Sequence, residues 1–454
     1  MIRAGSIRFP FSLETPAEHT GDPPESCDVV VVGGGIVGVM SAWFLARRGL
    51  RTVLCEKGRI AAEQSSRNWG WIRQQGRDAD ELPIMREANQ IWRDLATESG
   101  DALGFRTTGI LYLARSRAEI ERYEAWLPHA RAAGVDSRLL TAAEVRAHLA
   151  DARAAWEGGL YTPSDARAEP WVAVPTLARV LAQHAHASLH EQCAVRALDT
   201  EAGAVTGVIT ERGRIRCSQV VLAGGAWSAL FARPHGVNLP QLSVVSSAAA
   251  TDPLPAVFPG GAAERGFAMR HREDEGYTLA PGTFREFFIG PDAFRHLRRY
   301  LPQLRSELAA TRLRPMAPGG FPDAWGTPRR WAADAESPFE RQRILDPAPN
   351  MHALKRTLAR FAEVFPDIGR PRIRKAWAGM IDTMPDTVPV IDRVPDLPGL
   401  IIATGMSGHG FGIGPAVGRI VADLAVERPV GHALDRFRYP RFFDGSPIRP
   451  GPAL

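Results

Sequence analysis

Gly33, Gly35 and Gly38 stand in G-x-G-x-x-G spacing, and the carboxylate of Glu56 follows 23 residues after Gly33. In that pattern the glycines allow a tight turn, close approach of a pyrophosphate to the backbone and close packing of helix on strand. The later acid suits the hydroxyls of an adenosine ribose, and Ile36 and Val37 open the helix whose N-terminus would face the phosphates. Lys57 completes the group. A small-residue loop follows directly, Arg59 to Arg77 (RIAAEQSSRNWGWIRQQGR), too rich in Ser, Asn, Gly and Arg for a regular helix. Ser65, Ser66 and Arg67 are its candidate phosphate partners, continued by Asn68 and Trp69; a surface loop is the alternative reading. No Ser-His-Asp set and no paired carboxylates are evident, so the residues offer binding and orientation rather than a strong general base.

These groups need a rigid frame, and the stretch from Asp28 to Lys57 supplies one. Val29 to Val32 is a β-branched run suited to a parallel strand buried on both faces. Ile36, Met40, Trp43 and Phe44 recur at helical spacing, Arg47 and Arg48 fall in the last turn, and Gly49 ends the helix. Thr52 to Cys55 make the second strand. Embedded in a complete βαβ unit, the glycine motif predicts a dinucleotide site.

With 454 residues the chain exceeds the size at which single cores stop growing, which predicts two connected domains. The net charge is only +5 and the basic residues are scattered, so the sequence argues against nucleic acid as a partner. Weak attraction to an anionic membrane surface stays open. Cys27, Cys55, Cys193 and Cys217 lack C-x-x-C spacing, which supports neither a disulfide framework nor a metal site and fits a reducing cytoplasm. Residues 1–26 are polar and proline-containing, and read as a loose extension. No stretch reaches 18 consecutive apolar residues, so neither a signal peptide nor a membrane span is expected.

Farther along, Leu82 to Ser99, 116–134, 141–150 and Pro175 to His186 read as helices, and Phe105 to Leu113 as a strand containing Gly109. Segments from Cys193 to Cys217 predict an antiparallel hairpin or meander. Gln219 to Ala223 is a buried strand leading into Gly224, Gly225 and Trp227. From about Leu239 to Arg370 the chain looks loop-rich, with short strands near Gly266 to His271 and Tyr277 to Ala280. Leu400 to Thr404 then forms a buried strand, Gly405 to Gly414 a glycine-rich loop, and Pro415 opens a helix.

Three anchors, GGGIVG with Glu56, VVLAGGAWS (220–228) and ATGMSGHGFGIGP (403–415), resemble the D-amino-acid-oxidase-like superfamily of FAD enzymes. Within it the chain is most similar to the bacterial flavin L-amino acid deaminases, through EKGRIAAEQSSR (56–67), QCAVR (192–196), SQVVLAGGAWSALF (218–231) and SPFERQR (337–343). The resemblance implies an α/β protein, α+β overall, with a Rossmann-like FAD-binding domain and a second, mixed-sheet substrate domain. The FAD-binding domain would comprise 27–108, 171–238 and 371–437, and the substrate domain 109–170 and 239–370, with 438–454 a C-terminal tail. FAD would be held without a covalent bond. Val195 would contact adenine through its backbone, Gly224, Gly225 and Trp227 would close over the cofactor, and Gly408, His409, Gly410, Phe411 and Gly412 would present a helix N-terminus to the flavin pyrimidine end.

For the substrate, the resemblance assigns Arg270, seven residues before Tyr277 in MRHREDEGYTLAP, as the carboxylate-binding arginine. Arg272 and Arg285 are rivals. His409, where the deaminases carry tryptophan, could face substrate or flavin; Gln74, Trp377 and Tyr277 are the further candidates, and Trp69, Trp71 and Trp377 could wall the cavity. Met380 and Ile381 follow Trp377-Ala378-Gly379 where D-amino acid oxidases commonly have an arginine, which disfavours a D-oxidase. The deaminases' N-terminal membrane anchor and their sequence after Arg67 are not shared, so neither quinone coupling nor side-chain preference carries over. The implied activity is oxidation of an α-amino acid, L preferred, by hydride transfer from Cα to flavin N5, giving an imino acid and then a keto acid and ammonia. Oxygen or a respiratory carrier would reoxidise the flavin. The alternatives are oxidation of D-amino acids or N-substituted amines, and a flavin subunit acting inside a heteromeric dehydrogenase.

Overall fold

In a computed structural model, which describes residues 9–307 and 310–451, the β-branched run Val29–Val32 is the centre of a six-stranded sheet. It pairs in parallel with Gln219–Leu222 on one side and Thr52–Cys55 on the other. Leu400–Thr404 extends the sheet beyond Gln219–Leu222, Ala187–His190 extends it beyond Thr52–Cys55, and Val390–Arg393 adds an antiparallel edge. Buried on both faces, these strands have no use for alternating polarity, which is why they read as continuous apolar runs.

Two helices lie together against this sheet. Ile36–Arg47 leaves the glycine turn, and Gly410–Ala425 follows the last parallel strand. Glycine lets their backbones meet: a Cβ at Gly418 would lie 2.4 Å from the Met40 carbonyl carbon, and one at Gly414 would lie 2.8 Å from Ile36 Cγ1. The second helix starts at Gly410, five residues before the proline expected to open it. Pro415 lies inside it, withholding the amide that would bond the Phe411 carbonyl.

A ten-stranded mixed sheet forms the second layer. Its spine is Leu242–Pro253, paired with Ile373–Thr383 over most of its length and with Gly276–Ala280. The segment 371–437 therefore contributes Ile373–Thr383 to this sheet and Leu400–Thr404 to the other. A three-stranded antiparallel meander, Val195–Glu201, Ala204–Thr210 and Gly213–Arg216, forms as the alternation predicts and packs on the sheet face that carries Val30, Val53, Val220 and Leu400, opposite the two helices.

Two sequence expectations need correction. The stretch 239–370 is not mainly loop: it holds the twelve-residue strand Leu242–Pro253 and the helices Pro291–Glu307 and Met351–Val364. The extension expected to be loose over 1–26 is anchored at several points where described, with Phe9 and Phe11 buried and most of 12–26 on the surface. Phe9 stacks on Trp171 with centroids 4.0 Å apart, the Phe11 carbonyl accepts from Arg67 Nη2 at 2.8 Å, and Glu18 pairs with Arg59 and Arg179. Residues 1–8 lie outside the described residues. All four cysteines are buried and free. Among the described residues no helix is long and apolar enough to cross a membrane.

Candidate active site

The glycine turn, the 59–77 loop and the N-terminus of Gly410–Ala425 open onto one cavity of about 900 Å³. At its nucleotide end Gly33 has φ +109, and a Cβ there would lie 2.5 Å from the Ala223 carbonyl oxygen. Gly38 acts in packing instead, because its Cβ would sit 1.9 Å from the Gly33 carbonyl; it seats the helix under the turn and does not line the cavity. The Glu56 carboxylate accepts from Gly34 N at 2.6 Å and Gly58 N at 2.8 Å, which fixes it at the strand end. Burial pushes its pKa up, against the neighbouring Lys57 charge.

The loop after Glu56 is held by its own side chains. Ser65 Oγ accepts from Ile36 N at 2.8 Å, tying the loop to the first turn of the nucleotide helix. Arg67, expected to contact phosphate, is committed elsewhere: Nη1 donates to Asp346 and the Ala378 carbonyl, Nη2 to Phe11 and Nε to Ala62. Lys57 is likewise spent on Glu63 and the carbonyls of Gln342 and Arg343. Glu63, missed from the sequence, is the hub here, accepting also from Trp227 Nε1 at 3.0 Å and Leu345 N at 3.1 Å. Ser66 is buried off the cavity wall, whereas Asn68, Trp69, Val195, Gly224 and Gly225 all line it.

At the other end the helix Gly410–Ala425 carries no side-chain cap, which leaves its first-turn amides free to face an electron-rich group. Asp382 steadies the preceding loop, accepting from Gly405 N at 2.8 Å. His409 caps the helix by position and lies 3.3 Å, Nδ1 to Oε1, from Glu81. Burial, reinforced by the Arg77 charge, pushes the His409 pKa down to about 4, so at neutral pH the imidazole is neutral and donates to the carboxylate. Burial opposes the charge on Glu81, but His409 and Arg77 more than offset it and its pKa is lowered.

Past His409 the wall is cationic. Arg73 donates through Nη1 to the Tyr112 hydroxyl, and Arg77 donates through Nε to the Arg73 carbonyl at 3.2 Å. Burial, then the Arg73 charge, pushes the Arg77 pKa down to about 9, so it is still cationic at neutral pH. Neither guanidinium makes an ion pair among the described residues, and Arg77 Nη1 is buried without a hydrogen-bond partner. None of Arg73, Arg77 and Glu81 was picked out from the sequence. The available signal was two arginines and a glutamate at four-residue steps in a loop otherwise rich in uncharged residues.

Of the five candidates chosen for the substrate end, four do not line the cavity. Arg270 is fully buried in a bidentate pair with Glu169, 2.6 and 3.1 Å, and its Nε donates to the Trp69 carbonyl at 2.6 Å. Its guanidinium therefore holds the loop rather than a ligand. Tyr277 is buried beside Phe361, its hydroxyl donating to the Pro255 carbonyl. Trp377 donates to the Arg67 carbonyl at 2.9 Å and packs on Phe9 and Trp171. Gln74 turns away to Ser164 and Asp165. Of the rivals, Arg272 is closed by Asp274 at 2.8 and 2.9 Å, while Arg285 does line the cavity.

The residues present fit FAD: a turn only glycine can make, a fixed acid at the second strand, and an uncapped helix N-terminus share one cavity. The family model for FAD dependent oxidoreductases, DAO, matches residues 28–424. The chain belongs to this family. It is similar to the L-amino acid deaminase of Proteus myxofaciens, solved in complex with anthranilate, at 29% identity and TM-score 0.88, covering 94% of this chain and 96% of that one. It is also similar to the sarcosine oxidase subunit beta of Arthrobacter sp, 25% identical over 94% of each chain. The glycine oxidase of Pseudomonas aeruginosa is 25% identical, over 87% of this chain and 94% of its own length. The chain is thus an FAD-dependent oxidoreductase with the mixed α/β fold of that family.

Proposed function

We propose that this FAD-dependent oxidoreductase acts on an α-amino acid, L preferred, oxidising it at Cα to an imino acid that water converts to a keto acid and ammonia. FAD, when bound, supplies the acceptor for the Cα hydride. The turn at Gly33 to Gly35, Glu56, Val195 and the amides at the head of Gly410–Ala425 are the groups that would hold it. The carrying observation is at the far end of the same cavity, where Arg73 and Arg77 line the wall and close no ion pair with a carboxylate among the described residues. A buried guanidinium without a counter-ion is costly, and an anionic substrate offsets that cost on binding. Similarity to the Proteus deaminase supports the L configuration.

A second reading, oxidation of an N-substituted amine alongside a partner subunit, draws support from the similarity to sarcosine oxidase subunit beta. Peripheral contact with an anionic membrane is a further part of the proposal. Phe294, Leu297, Leu301, Leu313, Met316 and Trp325 are exposed on and beside the helix Pro291–Glu307, among the exposed Arg295, Arg298 and Arg312. Anaerobic mixing of the flavin-loaded protein with L- and D-amino acids and with N-methyl amino acids, followed at the oxidised flavin band, tests the reading. Bleaching by L-amino acids with release of a keto acid is expected. Bleaching confined to D-amino acids or N-methyl substrates would overturn it.

A further inference from the structure

Within the amino acid reading, which the present inference rests on, Arg77 and Glu81 have an unusual relation. They lie four residues apart, carry opposite charges and both line the cavity, and each shifts the other's pKa. Yet no ion pair closes between them. Instead each keeps a buried charged atom without a hydrogen-bond partner, Arg77 Nη1 and Glu81 Oε2. Arg77 is 5% exposed and Glu81 1% exposed, so bulk water does not meet the need. Buried polar groups in native proteins are overwhelmingly paired, and an exception at a cavity wall points to a missing ligand.

The surroundings explain why the two do not simply collapse together. Arg77 is held from behind: its Nε is on the Arg73 carbonyl and its own carbonyl accepts from Trp126 Nε1 at 2.9 Å. The loop below is pinned by Gln74 and Gln75, whose amides donate to Asp165 at 2.7 and 3.3 Å. Glu81 is fixed at the start of the helix Leu82–Ser99, where the helix dipole favours a carboxylate, with its other oxygen on His409. A cation and an anion held apart at one wall match a ligand that carries both charges on one carbon.

We propose that Arg77, backed by Arg73, binds the substrate carboxylate, and that Glu81 Oε2 accepts a hydrogen bond from the substrate amine. Arg77 and Glu81 thereby fix the α-carbon from both sides, and Arg270 acts as a positioning residue through the Trp69 carbonyl. The site selects primary α-amino acids with an unblocked nitrogen over simple amines, which lack the group for Arg77, and over simple carboxylates, which lack the group for Glu81.

The test is a titration of the flavin-loaded protein, reading the perturbation of the flavin spectrum, with an amine-free monocarboxylate and with a bleaching amino acid. Arg77→Gln is expected to weaken the monocarboxylate roughly 10- to 100-fold while flavin content is retained, and Arg77→Lys to give a smaller loss. Glu81→Gln is expected to leave monocarboxylate affinity unchanged or tighter and to raise the amino acid KM. Unchanged monocarboxylate affinity in flavin-loaded Arg77→Gln and Arg77→Lys would overturn the assignment while leaving amino acid oxidation standing. A wild-type protein that bleaches only with amines would overturn the functional reading, and loss of its monocarboxylate binding in Arg77→Gln would still support the cation site.

Discussion

Removing Arg270 separates a ligand-binding role from a structural one. Its guanidinium is fully buried, makes two bonds to Glu169 and one to the Trp69 carbonyl, and lies 5.7 Å from the Trp171 ring centroid. Arg270→Ala leaves the Glu169 carboxylate, itself 1% exposed, with only Glu273 N at 3.0 Å and Arg167 at 3.8 Å. Stranding one member of such a pair costs about 3–5 kcal/mol, which for a chain of 454 residues is a fall in Tm of roughly 3–5 °C. Replacing both members with apolar residues of similar volume, Arg270→Met with Glu169→Leu, restores most of it because no charge is then stranded. Chemical denaturation of the two variants and the parent measures this directly. The reasoning fails if Arg270→Ala costs less than about 1 kcal/mol, or if its main effect is a higher KM in a protein of normal stability.

Gly33→Ala, at φ +109 and with a Cβ 2.5 Å from Ala223 O, is expected to weaken FAD at least about tenfold, read as flavin absorbance per mole of purified chain. Asp165 has its pKa pushed by burial from 3.8 to about 7, so its charge costs the folded state nothing below pH 4, progressively more as pH rises to 7, and a constant amount above; the difference is about 4 kcal/mol. Asp165→Asn should therefore flatten the fall in unfolding free energy between pH 4 and pH 7, and an unchanged slope would refute the assignment. Phe294→Ser with Leu297→Ser should lower co-sedimentation with anionic vesicles severalfold and leave flavin content intact; equal binding by parent and variant would remove the membrane contact.

The nucleotide half of the fold was legible because its physics is local. Four consecutive valines, a glycine turn and an apolar helix state a buried parallel unit within some thirty residues, and no distant partner is needed to read it. Leu242–Pro253 was not legible. Its sequence LSVVSSAAATDP lacks both alternation and β-branched density, and it is a strand because Ile373–Thr383, more than a hundred residues away, supplies the hydrogen bonds. The same holds for Phe9 and Phe11, which sit in a polar stretch and become core only where Trp171, Trp377 and Arg67 meet them.

The substrate end shows where residue type misleads. An arginine near a tyrosine on a strand carries no mark of whether a carboxylate of the protein already occupies it, and Glu169 is 101 positions from Arg270 in sequence. Arg77 looked like one more loop arginine, yet it is buried at the cavity wall, closes no ion pair among the described residues and keeps Nη1 without a hydrogen-bond partner. What distinguishes the two is satisfaction rather than identity: a paired buried charge gains little from a ligand, while an unpaired one gains its missing partner. That difference turns Arg270 into scaffold and is the ground on which we propose the loop from Arg73 to Glu81, pinned from below by Asp165, as the surface that orients an amino acid.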